Sequence, residues 1–478
     1  MLLLLFPLAL AQEAPPATEE VDALSEDEAV EPPPEGSLLL QNARLIDGTG
    51  APARPADLLI IDGYIADIGE GLDPERAAER VDLGGAAVTP GLIDSHVHVT
   101  FAPGQGLHDW SQAALDDHLQ HHLRAYVAAG VTTVLDCAGM WSEVERVQGW
   151  LDDGLAGPRV LSLGEPPTIA EGYGPAVLPE LPVQNTPEEI AAFMASQKAH
   201  GAAGVKLLWE DGIVMPIWEM PDASWWEAVA AGAAEEGLPM FAHAMGPEET
   251  MGALALEPRA LLHGLMKADK EAEAALASSG VPVVATLNIS ASSLWYWSPE
   301  RFEEPLLNLL AHPDELAAVQ DPDTRDSSSV AVGKVATPGV PKWLARRLGR
   351  KSNYVEKILA ERLEVTARMV DAGVPLVVGS DAPGWPLMLD NLPAYSTIRE
   401  LELLTQVGLT PAEVLTAATS RPAGLLDLGD EVGALKVGYA ADLVVHTGDP
   451  LADIGAWREL EYVMRAGELR TPQAWMAE

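Results

Sequence analysis

Leu92-Ile93-Asp94-Ser95-His96-Val97-His98 is the stretch on which the fold turns. It has strand length, opens on apolar Leu92-Ile93 and closes on two histidines. Side chains alternate along a strand, so residues two apart share a face, and His96 and His98 point the same way. A doubly wound open sheet, the competing architecture, announces itself with a glycine-rich phosphate loop after its first strand. Here that position holds His-Val-His. Further strands are expected at Thr132–Cys137, Arg159–Leu163, Val205–Leu208, Pro239–His243, Ala260–His263, Pro282–Thr286 and Pro375–Asp381. Helical patterns fall between most of them, over Ser111–Ala129, Pro187–His200, Ser224–Glu236 and Tyr354–Asp371. Eight such units predict an α/β fold, a (β/α)8 TIM barrel.

Outward from the barrel the pattern changes. Leu38 to Ile46, Leu58 to Ile61, Tyr64 to Ile68 and Arg80 to Leu83 read as short antiparallel strands separated by Asp47-Gly48 and Asp62-Gly63 turns. Gly433–Leu435, Ala441–His446 and Tyr462–Gly467 repeat that style at the far end. The economical solution packs both ends into one small β-sandwich. The expected organisation is a signal peptide over 1–11, an acidic Pro-rich disordered linker over 12–36, the N-terminal portion of the sandwich over 37–91, the barrel over 92–429 and the C-terminal portion of the sandwich over 430–478. A long connection, 287–352, interrupts the barrel. It carries Trp295, Trp297 and the cations Lys334, Lys342, Arg346, Arg347, Arg350 and Lys351. It reads either as a lid over the active face or as a helical decoration with a solvated basic side.

Composition sets limits. The 478 residues carry a formal charge of −43, which excludes general nucleic-acid or anionic-membrane binding because a polyanion would repel the chain. The apolar run Met1 to Ala11, ending Ala9-Leu10-Ala11, is too short to span a bilayer and favours export to an extracytoplasmic compartment, periplasmic or secreted. Stable membrane association is not expected, and a homo-oligomer is allowed. The single cysteine, Cys137, forbids an intrachain disulfide and sits in a strand-like run, where a buried core thiol is expected.

Chemistry gathers at the strand ends. His96, His98, Lys206, His243, His263 and Asp381 stand at or beside the ends of expected strands, and a barrel brings those ends to one face. Imidazole nitrogen and carboxylate oxygen suit zinc and similar divalent ions. One histidine at a strand end is ordinarily structural; four with an aspartate, on the first, fifth, sixth and eighth strands, are not a chance pattern. His121, His122, His200, His312 and His446 fall on helices, the long connection or a terminal strand and read as structural or solvent-facing.

With those residues in view, Pro90-Gly91-Leu92-Ile93-Asp94-Ser95-His96-Val97-His98 resembles the entry motif of the amidohydrolase superfamily, and Gly379-Ser380-Asp381-Ala382 resembles its last-strand motif. Arg399 to Leu404 with Gly408-Leu409-Thr410-Pro411, and the closing Ala434 to Val445, are also similar. The resemblance runs from about Ser37 to Gly467 and is nearest to the imidazolonepropionase-like branch, which includes metal-dependent Xaa-Pro dipeptidases. It implies two divalent metal ions, zinc by preference: His96, His98 and Asp381 on the deeper one, His243 and His263 on the outer one. An N-carboxylated Lys206 would bridge them, since a carbamate supplies anionic oxygens where an ammonium would repel the cations. Catalytic roles fall to Asp381, Lys206 and Tyr173. Two departures stand out. Leu262 precedes His263 where the family often has Glu, and Glu171-Gly172-Tyr173-Gly174 replaces a Gly-Gly-His-Gly stretch, putting Tyr173 where relatives carry histidine. Tyr173 then either hydrogen-bonds a carbonyl or oxyanion or packs its loop. The expected reaction is attack of a metal-bridging hydroxide on an amide of a small peptide or N-acyl amino acid, with Asp381 as base then acid. A cyclic amide or lactone is the alternative substrate, and a non-catalytic metal-binding barrel the rival reading.

Overall fold

Strands from both chain ends pair in one eight-stranded sheet, while the middle of the chain forms two parallel sheets. The computed structural model describes residues 33–107, 110–212, 216–294, 299–336, 352–384 and 388–477. The signal-like start, most of the acidic linker, and Trp295, Trp297, Lys342, Arg346, Arg347, Arg350 and Lys351 of the long connection lie outside the described residues.

The N-terminal strands are β1 (Leu38–Leu45), β2 (Arg54–Ile61), β3 (Tyr64–Gly69), β4 (Glu79–Asp82) and β5 (Ala87–Pro90). The parallel strands follow as β6 (Leu92–Val97), β7 (Val131–Asp136), β8 (Arg159–Ser162), β9 (Val205–Leu208), β10 (Met240–His243), β11 (Ala260–Leu262), β12 (Val283–Val284) and β13 (Leu376–Val377). β14 (Leu443–His446), β15 (Leu460–Arg465) and β16 (Glu468–Arg470) close the chain. The end sheet runs β16-β15-β14-β5-β1-β2-β3, with β4 on β1. Its core joins Leu40, Leu45, Leu58 and Ile60 to Leu443, Val445 and Met464, so both ends contribute to it. The expected strand at Gly433–Leu435 is irregular instead.

The parallel strands run β6-β7-β8 and β13-β12-β11-β10-β9. Ser95 N–H donates to Val378 O at 3.0 Å and Asp381 N–H to His96 O at 2.7 Å, linking β6 to the segment after β13. Ala203 N–H donates to Ser162 O at 2.8 Å beside β8 and β9. β6 and β7 are buried along their whole length, the near-continuous burial of strands covered on both faces. Close approach fixes two glycines. A Cβ on Gly91 would lie 2.2 Å from Thr132 Oγ1, and one on Gly379 would lie 2.2 Å from Val284 Cγ1 and 2.9 Å from His96 Cβ. Three of the intervening helices start on side-chain caps: Ser111 before Gln112–Ala128, a Thr186/Glu189 capping box before Pro187–Ala199, and Asp222 before Ala223–Glu235.

Within the end sheet, His446 of β14 is buried with Nε2 2.9 Å from Thr89 Oγ1 on β5. Burial holds its imidazole down at about 4, against an ordinary 6.5. The unfolded chain therefore binds a proton there at a pH where the folded one does not. Stability is expected to fall as pH drops from about 6.5 toward 4. Urea midpoints across that window should show the slope, and His446→Gln should flatten it; equal slopes in both proteins would remove His446 as the cause.

The long connection is not structureless. It contains helices at Pro305–Leu310, Pro313–Gln320 and Pro322–Ala336, each opened by proline in its first turn. The helix expected from Tyr354 begins at Ser352. The Pro313–Gln320 helix sets Glu315 against the Gln112–Ala128 helix, where His118 and His122 meet it. Burial opposes ionisation of Glu315, but His122 and His118 override it and bring the carboxyl to about 2. His122 is thus buried and carboxylate-bound rather than solvent-facing.

Candidate metal centre

Three strand ends break from extended geometry to build the pocket. His263 after β11, Thr286 after β12 and Asp381 after β13 have φ of +68°, +47° and +54°. Non-glycine residues rarely occupy that left-handed region, and strain of this kind persists only where surrounding structure holds it. Asp381 is held from both sides: its N–H donates to His96 O, and Asn391 Nδ2 donates to its carbonyl at 2.6 Å. These turns are why the strands expected to run through His263, Thr286 and Asp381 stop short of them.

The side chains converge. Asp381 Oδ1 lies 3.3 Å from His96 Nε2 and 3.1 Å from His98 Nε2, and Asp381 Oδ2 lies 3.8 Å from His263 Nδ1. Lys206 Nζ, from β9, is 3.2 Å from His96 Nε2. The His263 ring sits 4.7 Å from that of His96 and 4.5 Å from that of His243. Tyr173 opens the short Tyr173–Val177 helix, its ring 5.2 Å from His243. All seven side chains expected from the sequence line one pocket. Its other wall is apolar, formed by Phe101, Ala138, Val177, Leu178 and Leu181.

Electrostatics favour lone pairs over protons. Burial, reinforced by neighbouring Lys206 and His263, pushes His96 well below the ordinary imidazole range. Burial and His243 do the same to His263. Burial also lowers Lys206, against the opposing pull of Cys137 and Asp381. The donor set fits divalent cations: neutral imidazoles and a carboxylate converge, with His96, His263 and Asp381 each offering an atom within 4.8 Å of the others. Outer partners suit this. His98 Nδ1 lies 3.3 Å from Ala138 O, which places the proton on Nδ1 and leaves Nε2 as the ligating nitrogen. Cys137 is a buried core thiol whose pKa burial pushes up.

Several supporting residues were not singled out by sequence. Asp94 Oδ1 accepts from the N–H groups of His96 and Ser380, and its Oδ2 accepts from Thr397 Oγ1 at 2.6 Å; one carboxylate thus locks both metal-type segments together. Glu210 Oε2 lies 3.2 Å from His243 Nε2. Arg362, fully buried, donates to Thr286 Oγ1, which lies 2.8 Å from His263 Nδ1. Glu400 accepts from the N–H groups of Leu287 and Asn288, and burial raises its carboxyl to about 7. Asp94 and Glu400 lie inside amidohydrolase-like motifs, which was the signal available for them. Glu210 and Arg362 are recognisable only by what they touch.

A family model described as the amidohydrolase family matches residues 87–470. The imidazolonepropionase of Deinococcus deserti is 27% identical over 452 residues, spanning 88% of this chain and 91% of that protein. The ochratoxinase of Aspergillus niger is 24% identical over 473 residues, spanning 89% and 85%. Among solved structures, a Xaa-Pro dipeptidase with methionine bound in its active site superposes with a TM-score of 0.69 at 19% identity, covering 91% of this chain and 99% of that one.

Proposed function

Because the chain belongs to the amidohydrolase family and is a hydrolase acting on C–N bonds, we propose that it cleaves an amide bond of a small peptide or N-acyl amino acid with the help of two divalent metal ions. The observation that carries this reading is the meeting of His96, His98, Lys206, His243, His263 and Asp381, from five different strand ends, in one pocket. The likeness to a Xaa-Pro dipeptidase and to an ochratoxinase supports the choice of substrate class. We read the eight parallel strands as a closed barrel over 92–429, supported by the hydrogen bonds between β6 and the Val378–Ala382 segment. The end sheet is read as a small sandwich over 37–91 and 430–478, supported by its shared core.

In this reading His96, His98 and Asp381 would hold one ion and His243 and His263 the other, and Lys206, if N-carboxylated, would add anionic oxygens to the set. Such ions, when bound, make hydroxide available near neutral pH and polarise the scissile carbonyl. The remaining chemistry belongs to the chain. Asp381 accepts the proton released as the nucleophile's oxygen bonds to the carbonyl carbon. It returns that proton to the amide nitrogen as the C–N bond breaks, so no free amide anion leaves. Thr286 and Glu210 hold the rings of His263 and His243 in orientation. The apolar wall takes the uncharged part of the substrate and excludes water beside the carbonyl.

Tyr173 is assigned to the carbonyl oxygen. Tyr173→Phe is expected to lower kcat by about 10- to 100-fold with a smaller change in KM, the signature of a hydrogen bond strongest in the transition state. An unchanged kcat would leave Tyr173 with packing alone. A cyclic amide is the second substrate class, favoured by the full-length likeness to an imidazolonepropionase. The deciding experiment screens dipeptides, N-acyl amino acids, cyclic amides and lactones against zinc- and manganese-loaded protein. Turnover of linear amides supports the reading. Turnover confined to rings or lactones, or none with any metal, overturns it.

A further inference from the structure

A second group of metal-type ligands lies outside the pocket. His118 and His122 are four residues apart on the Gln112–Ala128 helix, so both leave the same helical face. Glu315 approaches them from the long connection. Its Oε1 is 2.7 Å from His118 Nδ1 and 2.7 Å from His122 Nε2. All three residues are buried, with exposures of 3%, 4% and 2%. The other carboxylate oxygen, Oε2, is buried and finds no hydrogen-bond partner. We propose that His118, His122 and Glu315 form a further divalent-cation site, suited to zinc, that staples the connection between β12 and β13 to the barrel helix.

The arrangement of donors separates this from an ion-free clamp. A carboxylate has two oxygens and can serve one imidazole with each. Here both imidazoles address the same oxygen, and the second is buried without a protein partner at a desolvation cost. The three residues each bring one ligand atom within 4.8 Å of the others, close enough for a single cation to collect them. Two histidines and a carboxylate form a standard three-ligand zinc set, with bonds of about 2.0–2.2 Å that the cluster reaches by opening its contacts by roughly half an ångström. His312 stacks over His118 at 3.7 Å and so covers the site rather than ligating through its edge. His121 Nε2 donates to Leu310 O at 2.9 Å, a second tie between the same two segments.

The test counts zinc. The full chain is stripped with chelator, reloaded with zinc chloride, freed of loose ion by gel filtration and analysed for metal per chain. His118→Ala/His122→Ala should hold one zinc fewer than wild type. Glu315→Gln keeps size and hydrogen bonding but removes the charge, and should bind zinc at this site at least tenfold more weakly. The count compares proteins with identical pockets, so it stands whatever the pocket holds. Should the double variant fail to fold, Glu315→Gln decides alone, by zinc count and by the zinc-dependent rise in Tm. Equal zinc content and equal zinc-dependent Tm in wild type and Glu315→Gln would overturn the proposal.

Discussion

Asp381→Asn is expected to lower kcat by about 10³-fold on any amide substrate while the protein stays folded. Asparagine preserves the size of the side chain, and the left-handed backbone at this position tolerates it better than most residues. The contacts from Asp381 N–H to His96 O and from Asn391 to its carbonyl are made by backbone and survive. What disappears is an anionic oxygen facing His96 and His98 and the group able to take up and return a proton. Rate and metal content are measured together. A kcat within about threefold of wild type at full metal content would remove Asp381 from the proton path.

Lys206→Ala should cost at least about 100-fold in activity, and the direction of its rescue identifies the chemical form of the native side chain. A buried amine 3.2 Å from an imidazole nitrogen, within a pocket of metal-type donors, has little use for a positive charge. A carbamate there supplies anionic oxygens. Added acetate or propionate should then restore some of the lost rate in Lys206→Ala, and methylamine should restore none. Rescue by methylamine instead would show that lysine works as a cation and would sink the carboxylated form.

The strand positions were legible because short apolar stretches, such as Leu92-Ile93 in β6 and Val134-Leu135 in β7, recur between helical patterns. Leu92 to His98 sits within a residue of the observed β6 end, and β9 falls where Val205–Leu208 was expected. Legibility stopped where the backbone leaves extended geometry without a glycine to mark it. His263, Thr286 and Asp381 carry positive φ on ordinary side chains, so β11, β12 and β13 end earlier than the apolar pattern does. The helices of the long connection had their signal, Pro305, Pro313 and Pro322 at helix starts, but the stretch lacks the strong apolar periodicity that makes a helix plain. Seven side chains of the pocket were legible by residue type at or near strand ends and in family-like motifs. Glu210, Arg362 and Glu315 act through contacts 33 to 197 residues distant in sequence, and no local pattern encodes such a meeting.

The pairing of β5 with β14 has a kinetic side. Thr89 and His446 are separated by 357 residues, so the end sheet cannot complete until almost the whole polypeptide has left the ribosome, on the order of half a minute after β5 emerges. During that interval β5 presents a bare hydrogen-bonding edge, the kind of edge that recruits other chains. A nascent or truncated polypeptide lacking β14 would therefore be prone to aggregate even with its central helices and strands in place.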